Sequence, residues 1–181
     1  MRRTWILFAA LLVAGCGGAQ PRPIEAGRAA EPQRVALGWE ENYPGSGQRL
    51  VFGVQNLTVT ENGWSADVSL TNKTTVPFDT GDDDAASAYG LMLFGTGDLG
   101  ELESAARSNQ LPAVRQARTI EPALPDLLRP NQTWRGTLAA PGALPDGSWV
   151  RVSFGPLRAE GDTPPEMEPV VVWITDNAHR V

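Results

Sequence analysis

The chain has 181 residues, with 21 Asp and Glu against 15 Lys and Arg, a formal net charge of −6, and a single cysteine and a single histidine. An acidic surface disfavours nucleic acid and anionic lipid as electrostatic partners. With one cysteine, Cys16, the chain has no intramolecular disulfide, no Cys-based zinc site and no dithiol redox pair.

Residues 1–15 read as an export signal. Arg2 and Arg3 open it, residues 5–13 (Trp-Ile-Leu-Phe-Ala-Ala-Leu-Leu-Val) form an apolar run too short to span a bilayer, and the small residues Ala14 and Gly15 precede Cys16. Val13-Ala14-Gly15-Cys16 resembles the lipobox of bacterial lipoproteins. That resemblance implies a mature N-terminus at Cys16, anchored through diacylglyceryl and acyl groups. The chain is then exported and membrane-anchored by lipid at the outer face of the cell membrane. In a double-membrane cell the outer membrane is implied, because Gly17 stands where an inner-membrane retention aspartate would. An ordinary signal peptide with an incidental cysteine is the alternative. Arg2-Arg3 also has a twin-arginine look, but general secretion is the expected route. Of the 15 basic residues Arg2 and Arg3 leave with the signal, so 13 face 21 acidic ones and the exported charge is −8.

Residues 16–48 are rich in Gly, Pro, Ala, Glu and Arg, and Pro21, Pro23 and Pro32 interrupt any helix. They are expected to form a flexible tether with a reach of roughly 30 Å. Trp39 and Tyr43 are unusual in a spacer. They are expected to dock back onto the domain, with an exposed partner- or ligand-binding segment as the alternative.

The domain is expected over 49–181. Residues 49–60 predict a strand, with a bulge at Gly53. Residues 57–70 (Leu-Thr-Val-Thr-Glu-Asn-Gly-Trp-Ser-Ala-Asp-Val-Ser-Leu) predict a hairpin closed by Asn62-Gly63. A two-residue loop there pairs Glu61 with Trp64 and Val59 with Ala66, and places Leu57, Val59, Trp64, Ala66, Val68 and Leu70 on one face. After an acidic loop, 89–94 predict an apolar, well-covered strand. Asp98 and Glu101 then read as N-cap and capping-box partner of a helix over about 98–107, buried through Leu99, Leu102 and Ala106 and laid across an edge or end of the sheets. The Pro-rich residues 111–130 are expected to cross between sheets, with a brief strand near 118–120. Strands follow over 132–140, 149–157 and 170–175. In the second of these, Val150, Val152 and Phe154 alternate against Trp149, Arg151 and Ser153.

Six or seven short strands, Gly/Pro turns and one short inserted helix predict an all-β fold, an antiparallel β-sandwich. Trp64, Trp134, Trp149 and Trp173 fall in predicted strands and are assigned mostly to the inter-sheet core. From about 49 to 175 this pattern resembles immunoglobulin-like or fibronectin-III-like domains of bacterial surface lipoproteins. The Cys-Trp-Cys signature of true immunoglobulin domains is absent.

Catalytic chemistry has few carriers. His179 is the third residue from the chain end and no Gly-x-Ser-x-Gly elbow exists to meet it. Lys73 is the sole lysine, with no Ser-x-x-Lys. Gly45-Ser46-Gly47 and Gly95-Thr96-Gly97 complete no phosphate loop. Asp79, Asp82, Asp83 and Asp84 offer carboxylates for calcium, but the spacing is not that of an EF-hand, and a solvated loop is the plainer reading. No other cofactor is implied. The sequence therefore predicts a non-enzymatic, lipid-anchored module for protein interaction or cell-envelope structure, its partner another envelope protein. The alternative is a ligand-binding lipoprotein recognising carbohydrate or calcium, through Trp39, Tyr43 and the acidic loop at one end of the sandwich.

Overall fold

The computed structural model describes residues 27–81 and 88–181. The export signal, Cys16, Asp82, Asp83 and Asp84 lie outside them. The described residues form two antiparallel sheets of five and seven strands, the all-β sandwich that the sequence predicts. The first sheet runs in the order β1 (Gln33–Tyr43), β2 (Arg49–Thr60), β3 (Gly63–Lys73), β9 (Thr133–Pro141) and β7 (Thr119–Glu121). The second is built around β10 (Trp149–Ala159). One edge of β10 pairs with β5 (Gly90–Phe94) and then β4 (Phe78–Asp79), which carry the short β6 (Arg115–Gln116) and β8 (Leu127–Leu128). The other edge pairs with β11 (Val170–Ile174) and β12 (His179–Arg180). The strand count exceeds six or seven because β4, β6, β8 and β12 are two-residue pairings and because β1 forms where a tether is expected.

Between the sheets, Phe52, Trp64, Leu70, Trp134 and Leu138 meet Leu91, Val152 and Phe154 in one core. The Phe52 and Phe154 rings stand 5.3 Å apart. The chain crosses between sheets as expected. Gln116 pairs with β5, Ala117 N–H donates to Tyr89 O, and Arg118 N–H already donates to Ala139 O of the first sheet.

The hairpin at 57–70 forms, with its apolar face inward, but its register differs. Thr60 pairs with Gly63 and Val59 with Trp64, so the loop is Glu61-Asn62. The partner shift is two residues, which preserves the face. Gly63 is drawn into the strand by β9: a Cβ there would stand 2.7 Å from the Ala140 carbonyl oxygen. The bulge in β2 is at Gln55, not Gly53. It explains why inward residues change parity from Leu50, Phe52 and Val54 to Leu57 and Val59.

The expected tether also differs. Residues 33–43 are β1, paired along β2, and Ala30 is already buried with its N–H on Leu144 O. Val35, Leu37, Trp39, Glu41 and Tyr43 turn inward, whereas Arg34, Ala36, Glu40 and Asn42 are exposed. The pattern is obscured in the sequence because Gly38 (φ 62) sits at a bulge and a carboxylate, Glu41, takes an inward position.

The helix α1 (Leu99–Arg107) is capped by Asp98, whose carboxylate accepts from Gly100 N–H at 3.0 Å. Glu101 does not close a capping box on Asp98. Its carboxylate accepts from Thr96 N–H and Oγ1, and Thr96 Oγ1 in turn accepts from Asp98 N–H. Leu102 and Ala105 are the buried residues; Leu99 and Ala106 are exposed. The helix lies over the outer face of the second sheet, where Leu102 joins Met92 and Phe94, with Trp149 and Ile174 packed alongside. Trp149 therefore belongs to this outer layer and not to the inter-sheet core. A Cβ on Gly97 would meet its ring at 2.5 Å, so glycine lets the loop before α1 lie directly on the indole.

Candidate interaction surface

Arg151, on the outer face of β10, is fully buried beneath this covering layer. Its guanidinium donates to Thr175 O at 2.9 Å, to Asp176 O, and to Gly97 O and Asp98 O at 3.1 Å each. It also lies 5.4 Å from the centre of the Phe94 ring. Burial draws the guanidinium below its ordinary pKa, against the pull of the nearby Asp176 and Glu41 carboxylates.

Glu41, 8 % exposed, grips the same segment from β1. It accepts from Trp173 Nε1 (2.9 Å), Asp176 N–H (2.9 Å), Asn177 N–H (3.0 Å) and Asn177 Nδ2 (2.8 Å). Although the Asp176 side chain is exposed, partial desolvation of its carboxyl, with Glu41 adding to it, raises its pKa from the ordinary value, while Arg151 opposes the shift. At the other end of β11, Glu168 N–H donates to the Tyr43 hydroxyl at 3.3 Å, and the Tyr43 and Trp173 rings lie 5.8 Å apart. Both ends of β11 are thus fixed by side chains from β1, and its C-terminal end by β10 as well.

That clamp holds an open edge. Ala159 N–H donates to Pro169 O at 2.8 Å and Thr175 N–H to Val152 O at 2.9 Å, so odd-numbered residues from 169 to 175 turn their backbone groups to β10. The backbone groups of Val170, Val172 and Ile174 turn away from it, and no described strand pairs with them. On the inner face Val171 is buried and the Trp173 ring stacks on Phe52 at 5.4 Å. On the outer face Val170 and Val172 are 51 % and 49 % exposed. Edges are normally blunted by charge, proline, bulges or shortness. β1 carries Arg34, Glu40 and the Gly38 bulge, and the remaining edge strands have two or three residues. β11 has none of these within Val170–Ile174.

The residues singled out from sequence lie as follows. Trp39 and Tyr43 are half-buried against the core, on β1. Asp79 sits in β4 opposite Arg158, and its Oδ1 accepts from Gly81 N–H at 2.8 Å. Its companions Asp82, Asp83 and Asp84 are outside the described residues, among which no three His, Cys, Asp or Glu side chains converge. His179 contacts Gln33 Oε1 at 3.2 Å and is pushed below its ordinary pKa by burial. Lys73 is exposed at the end of β3. Two shallow depressions of about 360 and 270 Å³ share Trp64, Ala140 and Pro141, the second flanked by Arg115 and Arg118. Sequence reasoning missed Arg151 and Glu41. The available signal was Trp149 on the same strand face as Arg151, which calls for a covering layer. Compared with protein-family models, curated proteins and solved structures, the chain matches none.

Proposed function

We propose that this chain is a non-enzymatic, lipid-anchored extracytoplasmic β-sandwich module that acts by binding another envelope protein. The observation carrying this reading is β11: an uncharged edge strand with two half-exposed valines, held rigid at both ends. A clamped strand loses little further freedom on binding, which favours its use as a docking edge. The lipobox at Cys16 and the export signal support placement on a membrane surface. The scarcity of nucleophile–base pairs supports a binding role: His179 is engaged by Gln33 and Lys73 stands at a strand end. The carbohydrate reading has weaker support, because Trp39 and Tyr43 turn their rings onto the core and offer no open stacking platform.

The test is photocrosslinking in cells from the full lipidated chain. Benzoylphenylalanine is placed singly at Val172 and at exposed positions on other faces, such as Ala36, Glu103 and Arg135. A discrete adduct with a second protein is expected. The absence of an adduct from every position would sink the proposal.

A further inference from the structure

We infer that the occupant of the β11 edge is an extended segment of another protein, with alternating apolar side chains and basic residues at its ends, added as a further strand to the second sheet. This rests on the binding reading above and specifies its partner. The outward backbone groups of Val170, Val172 and Ile174 supply alternate donors and acceptors along one line, the arrangement that strand addition requires. Val170 and Val172, on the uncovered outer face, give the incoming strand apolar contacts on alternate residues.

Charge decides between occupants. Glu160, Asp162, Glu166 and Glu168 precede β11 and Asp176 follows it, all five exposed, with no Lys or Arg between Arg158 and Arg180. A second copy pairing antiparallel about Val172 would bring Glu168 of one chain beside Asp176 of the other. Like charges at both ends of the ladder oppose that pairing, on a chain already net acidic. A strand with Lys or Arg at its ends meets carboxylates at both, and gains in encounter rate as well as register.

The test titrates the full lipidated chain in uncharged detergent micelles with a synthetic peptide in which Val and Thr alternate between Lys-Lys ends. Calorimetry and amide hydrogen exchange are read together. Saturable binding is expected, with slowed exchange at Val170, Val172 and Ile174. Affinity should fall as salt rises, and Val172→Lys should weaken binding by about tenfold or more through lost apolar contact and cationic repulsion. A peptide with Glu-Glu ends should bind more weakly, and a backbone N-methylated peptide not at all. Val170→Lys provides the same test should Val172→Lys shift the unfolding midpoint. Equal binding by the valine variants, by the Glu-ended peptide or by the N-methylated peptide overturns the inference. So does a dimer of the chain alone that Val172→Lys dissociates, because the occupant is then a second copy. Crosslinked adducts from positions away from Val172 alone would overturn this inference while leaving the binding function standing; no adducts anywhere would overturn that function itself.

Discussion

Arg151 makes its bonds to four carbonyls and to no carboxylate, so its charge is spread over two loops instead of neutralised by one partner. Its Nε has no partner among the described residues. A guanidinium suits this role because its planar fork reaches the loop before α1 and the loop after β11 together, which a lysine ammonium cannot do. Arg151→Met keeps the stem and removes the donors, leaving carbonyls at Gly97 and Thr175 short of partners. It should cost about 2–4 kcal/mol, read as a lowered urea midpoint, with exchange quickened at 174–177 and unchanged in β2 and β3. A uniform change across the protein would argue against a local clamp. His179 gives a pH signature. Its folded pKa lies below the ordinary 6.5, so the unfolded chain takes up the proton first. Its stability contribution is complete above pH 6.5 and declines as pH falls from there toward the folded pKa. Asp176 acts in the opposite sense, because its folded pKa is raised above 3.8 and its ionisation opposes folding as pH rises. Being exposed, it contributes little. The unfolding-temperature difference between wild type and His179→Gln should be constant above pH 6.5 and shift against wild type below it. A difference independent of pH would contradict the assignment.

At the level of elements, the hairpin, the inter-sheet crossing and the helix were legible because each has a local cause: alternation, proline density, an Asp cap. What was not legible came from contacts distant in sequence. Gly63 reads as a turn residue beside Asn62, yet the approach of Ala140 makes it a strand residue and moves the loop back by one position. Gly63→Ala should therefore destabilise by about 1–3 kcal/mol through backbone displacement, although its φ is not left-handed. Unchanged stability on equilibrium denaturation would show that β9 can give way there. The cap is a milder case. Asp98→Ala should cost about 1 kcal/mol, since Gly100 N–H loses its acceptor while the Asp98 carbonyl still meets Arg151. β1 was illegible for a third reason. Its inward face includes Glu41, an acid whose four N–H donors come from residues 173–177, and nothing local to β1 announces them. The docking edge is half visible: Val-Val-Val-Trp-Ile predicts a strand, but its openness depends on no other described strand reaching it.

For the whole molecule, anchor and docking edge should be separable. Among the described residues the core is continuous across both sheets, and its first member is Ala30. Of the tether expected over residues 16–48, residues 28–30 and 33–43 pair with the domain, so the spacer reading is left with residues 17–27, a reach of roughly 20 Å. What acylation supplies is confinement: a partner in the same envelope meets β11 at a raised effective concentration, without any change in the contact itself. Cys16→Ser should accordingly move the chain from the membrane fraction to the soluble extracytoplasmic fraction, and photoadduct yield from Val172 should fall. If residues 17–27 are the spacer that the sequence predicts, the unfolding midpoint and the affinity for the Lys-ended peptide should stay as in wild type. Val172→Lys should give the converse, with membrane retention kept and adducts lost. A Cys16→Ser chain that remained in the membrane fraction would refute acylation as the anchor. One that left the membrane but also lost peptide affinity would mean that anchor and edge are coupled through the domain, contrary to the spacer that the sequence predicts between them.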